Sequence, residues 1–319
     1  MLGPVIVDLR GYTLSSKEKE LLQHPLVGGV ILFSRNYESP QQLKQLTSEI
    51  HSLRSPALLI ATDHEGGVVQ RFHQGFTTLP PMASLGELYL EDSIAALAQA
   101  EHSGYTMASE LKINGVDLSF APVLDLDKGI SQVLAGGRAI SAQPKIVVEI
   151  AKAYIKGMHR AHMAATGKHF PGHGSVEVDS HLGTAVDQRS LSEIMHADLQ
   201  PFLDLMQHDL QALMPAHVIF PKIDQLPASL SKIWLQDILR QKLKFKGIVI
   251  SDCLSMQGAA EIVSDPVERA TLALEAGCDM ILICNNQGSV MTILDNLQLS
   301  IEHNLAAHIE KIRHTYTHT

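Results

Sequence analysis

The chain has 319 residues, 45% of them apolar and 18% charged, with a formal net charge of -9. That length holds one large domain or two ordinary ones around a sizeable core. An acidic balance without a basic stripe argues against nucleic acid or an anionic membrane surface as a partner.

In chain order, short apolar runs alternate with amphipathic stretches. Val5 to Leu9 reads as a strand; its apolar run stops at Asp8 and has no basic leader, so it is not expected to be a signal peptide. Val27 to Phe33 is a second strand, and Ser39-Pro40 with Gln42 at the capping-box position opens a helix. Leu58 to Asp63 is a third strand, followed after a long connection by a helix from about Ser93 to Leu111. The fourth strand, Val116 to Val123, runs into Leu124-Asp125-Leu126-Asp127, and Pro144 opens a helix reaching about His162. A fifth strand ends at Lys168-His169, and the next helix begins at Ser190 with Glu193 completing a capping box. Leu213 to His217 is the sixth strand, with Pro215 inside it, and Trp234, Leu235, Ile238 and Leu239 share one helix face. Gly247 to Asp252 is the seventh strand, Asp265-Pro266 with Glu268 opens another helix, Met280 to Ile283 is the eighth strand, and a helix closes the chain.

Eight strands without polar alternation belong to a parallel sheet covered on both faces. Eight βα units over this length give an α/β protein, a single (β/α)8 TIM barrel spanning 1–319, with a doubly wound open sheet as the rival. There is no composition break and no repeat to mark a second domain. No apolar run approaches the roughly 18 residues of a membrane span. Cys253, Cys278 and Cys284 form no CxxC pair, which fits reduced thiols in a cytosolic protein.

The polar groups gather at strand ends: Asp8, Arg35, Asp63-His64-Glu65, Asp125 and Asp127, Lys168-His169, His217, Asp252 and Asn285. In a barrel those ends form the catalytic face. The densest stretch runs from Gly167-Lys168-His169-Phe170-Pro171-Gly172-His173-Gly174 to Asp179-Ser180-His181, a loop rather than a helix because glycine and proline punctuate it. Each group also has a plain structural reading: Asp8 and Asp127 as helix caps, His217 as a hydrogen-bonded core histidine, and Asp279 as a residue of the opposite face.

Two chemistries fit the ring. His64, His169, His173, His181 and His217 with Asp252 can supply ligands to a hydrolytic zinc, although Pro171-Gly172 rules out a helical His169/His173 pair. Alternatively, glycoside hydrolysis needs a carboxylate nucleophile and a proton donor. Asp252 suits the first role, and His181 oriented by Asp179 suits the second.

Three segments decide between them. Asp63-His64-Glu65-Gly66-Gly67-Val68-Val69-Gln70-Arg71-Phe72, then Lys168-His169-Phe170-Pro171-Gly172-His173-Gly174 with Asp179-Ser180-His181, then Ser251-Asp252-Cys253-Leu254-Ser255-Met256 resemble glycoside hydrolase family 3. Within it they are most similar to the bacterial cytoplasmic β-N-acetylglucosaminidases of peptidoglycan recycling. The resemblance implies a retaining mechanism with Asp252 as nucleophile, His181 as acid/base and Asp179 as its partner on a mobile loop; in the sequence itself, Gly172 and Gly174 offer that loop its hinges. It implies Asp63, Arg71, Arg138, Lys168 and His169 as the residues binding N-acetylglucosamine, and no metal or other cofactor. The implied partner is a small-molecule substrate, N-acetylglucosaminyl-1,6-anhydro-N-acetylmuramic acid with or without peptide, acted on by a cytoplasmic monomer. A non-catalytic sugar-binding barrel is the further alternative. The chain departs from the family pattern at His64 (commonly Gln), Val68 (Arg), Gly137 (Asp) and Cys253 (Asp), positions that bear on support of the site, aglycone preference and rate.

Overall fold

The computed structural model describes residues 2–207, 209–298 and 305–314. Its central feature is an eight-stranded parallel sheet built from β1 (Val5–Asp8), β2 (Val27–Leu32), β3 (Leu59–Thr62), β4 (Leu118–Ser119), β5 (Thr166–Phe170), β6 (Ala212–Pro215), β7 (Ile248–Cys253) and β8 (Met280–Ile283). Sequential strands pair side by side, and β1 also pairs with β8. The remaining seam closes beyond β4, where Thr166 N–H donates to Ala121 O at 2.8 Å and Leu124 N–H to Lys168 O at 2.7 Å. The sheet is therefore a barrel rather than the open doubly wound alternative.

Why these runs make barrel strands follows from burial on both faces. Val5, Ile6 and Val7, Val30, Ile31 and Leu32, and Ile248, Val249 and Ile250 are all buried. A fully buried aliphatic side chain contributes about 1.5–3 kcal/mol, and helices outside the sheet complete the cover. Helices Ser93–Ile113 and Pro144–Arg160 pack against one another there. Ser190 makes the expected reciprocal capping box with Glu193. At Ser39 only half of it forms: the Ser39 hydroxyl accepts from Gln42 N–H, while the Gln42 amide oxygen accepts from Glu38 N–H instead.

Two strands differ from the sequence reading. The fourth shrinks to Leu118–Ser119 because Pro122 brings no N–H to the ladder, although the chain still runs alongside β5. The sixth stops at Pro215, and the chain resumes as Val218–Phe220, which joins Ala185–Val186 and Asp224–Pro227 in a small second sheet. The Trp234 helix, Ile233–Lys242, is wound wide, with Leu243 N–H reaching back five residues to Ile238 O. Its buried Trp234 packs edge-on against Phe170 and against Phe220. Asp279, at the foot of β8, accepts from Arg240 Nη2 and Val249 N–H, both at 2.7 Å, the structural role expected of that face.

Among the described residues no helix is long and apolar enough to cross a membrane.

Candidate active site

The C-terminal ends of the strands surround a cavity of about 430 Å³, within the usual range for small-molecule sites. Asp63, Arg71, Arg138, Lys168, His169, His181 and Asp252 all line it. Asp179 does not, but it holds His181.

The chain leaves β3 through Asp63 and turns back in a hairpin, His64–Gly66 against Val69–Gln70, that returns Arg71 to within 3.3 Å of Asp63 Oδ2. Lys168, at the end of β5, donates to Asp63 Oδ1 at 2.9 Å and lies 2.6 Å from Glu65 Oε1. Arg138 grips Glu65 with Nε and Nη2 at 2.9 and 2.8 Å and donates its third nitrogen to Val133 O. Two carboxylates and three cations thus form one network. Burial alone would raise Asp63, but Lys168, Arg71 and Arg138 hold it far below the ordinary carboxylate range. Burial would likewise depress Lys168, yet Asp63 and Glu65 raise it. Asp63 and Glu65 are lowered and Lys168 and Arg138 raised by one another, which favours the charged form of each and gives a polar cradle for hydroxyl and amide groups.

Asp125 is fully buried beneath β5. It accepts His169 Nδ1–H at 2.7 Å and the backbone N–H groups of His169 and His173 at 3.2 and 2.7 Å. Burial would raise its pKa, but His169 brings it below the usual value. Because Asp125 takes Nδ1–H, His169 keeps Nε2 for a ligand in the cavity. The Lys168–His169 and Phe170–Pro171 peptide bonds are cis.

The loop after β5 carries the imidazole–carboxylate pair. Asp179 Oδ1 accepts from His181 N–H at 2.8 Å and from Nδ1–H at 2.7 Å, and the His181 side chain is 55% exposed at the cavity mouth. Burial would raise Asp179, but the His181 bonds lower it. Between them, Ser180 is an anchor: its hydroxyl bonds His173 Nε2 at 3.0 Å and its carbonyl accepts Gly258 N–H at 2.9 Å. Thr184 adds a 2.6 Å bond to Glu261. The loop is thereby docked on the segment that follows β7. The two glycines expected as hinges serve close packing here: a Cβ on Gly174 would sit 1.8 Å from Leu126 O, and one on Gly172 2.6 Å from Asp198 Cβ.

At the tip of β7, Asp252 Oδ1 accepts Cys253 N–H at 2.7 Å. Burial would raise its pKa, but the imidazoles of His217, His169 and His181 bring it below the ordinary value, so it is an available carboxylate at neutral pH. His217 beneath it is the core histidine: Nδ1 meets Ser229 Oγ at 2.6 Å and Nε2 donates to Cys253 O at 3.0 Å, and burial lowers its pKa. Asp8 caps no helix; it pairs with Arg35 and accepts Asn285 N–H at 3.1 Å. Asp127 likewise caps no helix, because its carboxylate closes a turn on Gly129 N–H at 2.8 Å.

Three of the five histidines read as zinc ligands are enclosed or held by other partners. His64 sits between Phe72 and Phe76 with no hydrogen-bond partner on either nitrogen, and burial lowers its pKa to about 3. His173 is held by Ser180, and burial lowers it to about 4. His217 has both ring nitrogens taken by Ser229 and Cys253 O, whereas His169 is fixed by Asp125 through Nδ1 alone. Among the described residues no three His, Cys, Asp or Glu side chains are grouped to hold a metal ion. Of the other departures, Val68 is 64% exposed at the hairpin turn, and Gly137 passes its carbonyl to Ala83 N–H with a φ of +78°.

The sequence reading placed Glu65, Asp125 and Asn285 at strand ends without giving them site roles, and it missed Ser180 as an anchor. The adjacency of Glu65 to Asp63 was the one available signal for a paired carboxylate; nothing in the sequence marks Asp125 as the partner of His169 forty-four residues on.

A carboxylate on a strand tip, an imidazole–carboxylate pair on the loop after β5 and a charged cradle beside both are the groups that glycoside hydrolysis requires. Residues 5–314 match the glycosyl hydrolase family 3 N-terminal domain, and the chain belongs to that family. It is 51% identical over 312 residues to a β-hexosaminidase of Hydrogenovibrio crunogenus, covering 98% of this chain and 86% of that one. It is 52% identical over 298 residues to a β-hexosaminidase of Thiobacillus denitrificans, covering 93% and 82%. Among solved structures it is similar to native NagZ of Neisseria gonorrhoeae, with a TM-score of 0.92 and 44% identity, covering 98% and 90%. The same gonococcal protein has been solved with N-trifluoroacetyl-D-glucosamine, again with a TM-score of 0.92 and 44% identity over 98% and 90%.

Proposed function

We propose that this family 3 hydrolase, a β-N-acetylhexosaminidase, removes the non-reducing terminal N-acetylglucosamine from N-acetylglucosaminyl-1,6-anhydro-N-acetylmuramic acid, with or without peptide, during peptidoglycan recycling. The observation that carries the reading is the meeting of Asp252 and the Asp179–His181 pair at one cavity walled by the Asp63, Glu65, Arg71, Lys168 and Arg138 network. The relatives' names support the sugar.

The mechanism is a double displacement. Asp179 holds Nδ1–H of His181, so Nε2 is the atom that exchanges protons. In the first step His181 gives a proton to the departing muramyl oxygen while an Asp252 oxygen attacks the anomeric carbon, forming a glycosyl–aspartate and breaking the glycosidic bond. In the second, the now neutral His181 takes a proton from water as that water attacks the anomeric carbon, releasing the sugar and restoring the Asp252 carboxylate. Asp63, Arg71, Arg138, Lys168 and His169 bind the sugar hydroxyls and the N-acetyl group. We place the enzyme in the cytoplasm, a reading supported by three free cysteines, and take it to act as a monomer.

The deciding experiment is covalent trapping. A slow 5-fluoro N-acetylglucosaminide leaves an adduct that peptide mass spectrometry locates on Asp252, and the natural disaccharide is cleaved with retention. Inversion at the anomeric carbon, or an adduct elsewhere, overturns the assignment.

A further inference from the structure

Two of the three cysteines face the sugar cavity, although the mechanism uses neither thiol. Cys253 ends β7 beside Asp252, and Cys284 follows β8 on the neighbouring strand; both line the cavity. Cys253 Sγ accepts Cys284 N–H at 3.3 Å and its S–H points to Cys284 O at 3.8 Å, so the Cys253 thiol lies against the Cys284 backbone. Cys278 is different: it is buried, its Sγ points to Ser229 O, it does not line the cavity, and burial pushes its pKa up.

The pair is also unequal in access. Cys253 is partly exposed, whereas Cys284 is buried behind it. A small disulfide therefore meets Cys253 first and Cys284 stands as the resolving thiol, and the proximity of Cys284 also draws the Cys253 thiol below its ordinary range.

We propose that Cys253 and Cys284 form a thiol–disulfide exchange site inside the sugar cavity, open to small molecules carrying a disulfide, whose reaction switches the hydrolase off. Cys253 sulfur, having given up its proton, attacks one sulfur of the small disulfide. That S–S bond breaks, a mixed disulfide forms on Cys253, and the departing thiolate takes a proton. Cys284 then loses its proton to solvent and attacks Cys253 Sγ, and the second small thiolate leaves and is protonated. Two protein thiols are oxidised to one disulfide and one small disulfide is reduced to two thiols, with no other oxidant. The mixed disulfide occupies the sugar's space. The internal one strains the residue whose N–H holds Asp252 and whose carbonyl accepts His217 Nε2–H.

The loss of turnover rests on this cavity being where the glycoside is cleaved; the exchange chemistry does not, so the test reads them separately. The full chain is treated with 2-hydroxyethyl disulfide while hydrolysis of an aryl N-acetylglucosaminide and the intact mass are followed in parallel. Turnover falls in step with the modified fraction and returns with dithiothreitol. Peptide mapping finds either a hydroxyethylthio group on Cys253 or a Cys253–Cys284 disulfide, and N-acetylglucosamine slows both. Each variant is compared with its own untreated rate: Cys253→Ser resists treatment, and Cys284→Ser stops at the mixed disulfide. Modification confined to Cys278, an unmodified Cys253 after full exposure, or equal sensitivity of Cys253→Ser overturns the exchange site. Full turnover by a chain modified at Cys253 overturns the switch. Lack of hydrolysis before treatment counts against the glycosidase reading alone, because the mapped masses still report the exchange.

Discussion

Replacing His181 by Ala tests the proton-transfer half of the mechanism. The imidazole touches the structure mainly through Asp179, and its side chain is more than half exposed. The loop's anchors, Ser180 to Gly258 and His173, and Thr184 to Glu261, lie on other residues. The fold should therefore survive, and the loss should fall on chemistry. General acid catalysis is worth on the order of 10² to 10⁴ in rate for a poor leaving group, or about 3 to 5 kcal/mol of barrier. The proposed disaccharide substrate, whose leaving oxygen is a sugar alkoxide, should slow by that factor. A dinitrophenyl N-acetylglucosaminide needs little proton assistance in its first step, so glycosylation should be nearly spared while deglycosylation, lacking its base, becomes limiting. Stopped-flow absorbance should show a burst of phenol, a lowered apparent KM and rescue by azide with a glycosyl azide product. Equal slowing of good and poor leaving groups, with no burst and no rescue, would refute the assignment and reduce His181 to a binding residue.

Asp179→Ala should give a weaker form of the same leaving-group dependence, read from the slope of rate against phenol pKa. Lys168→Met leaves Asp63 and Glu65 short of a buried cation, and breaking such a network costs about 3–5 kcal/mol; denaturant titration should show the loss, and a rise in KM should accompany it. Gly258→Val should raise no problem for the barrel but displace the loop, since a Cβ there already sits 2.9 Å from Ser180 O; kcat on the disaccharide should fall with the midpoint of unfolding held. His64 and His173 are neutral in the folded state, with pKa values of about 3 and about 4 against 6.5. The unfolded chain therefore binds more protons below pH 6.5, and stability falls on acidification, by roughly 2 kcal/mol per histidine at pH 5. His64→Gln should remove about half of that slope in a pH series of melting curves.

Much of this site is visible before any coordinates. Several apolar runs end in or next to a polar group, so Asp63, Lys168, His169 and Asp252 announce both the barrel and its working end. What the sequence hides is pairing. Glu65 becomes a site residue only because Arg138 and Lys168 arrive from other βα units, and Asp125 only because β5 lies above it. Of the five histidines read as zinc ligands, His64 drops out for the same reason: local spacing says nothing of its enclosure by Phe72 and Phe76. Pro122 and Pro215 trim their strands because ladder bonds depend on single N–H groups, which an apolar pattern does not count.

The docking of the Asp179–Ser180–His181 loop has a pharmacological consequence. Asp252, the proposed nucleophile, belongs to the barrel, but His181, the proposed acid/base, is held over it by a few fastenings of its loop, chiefly Ser180 O to Gly258 N and Thr184 to Glu261. A compound that bears a basic nitrogen at the glycosidic oxygen's position gains its ion pair only with the loop seated. Such a compound should show slow-onset inhibition and long residence, whereas a sugar filling the cradle alone should bind and leave rapidly. Selectivity among related hydrolases would then come from the loop's fastenings, which are free to differ while the sugar pocket stays the same.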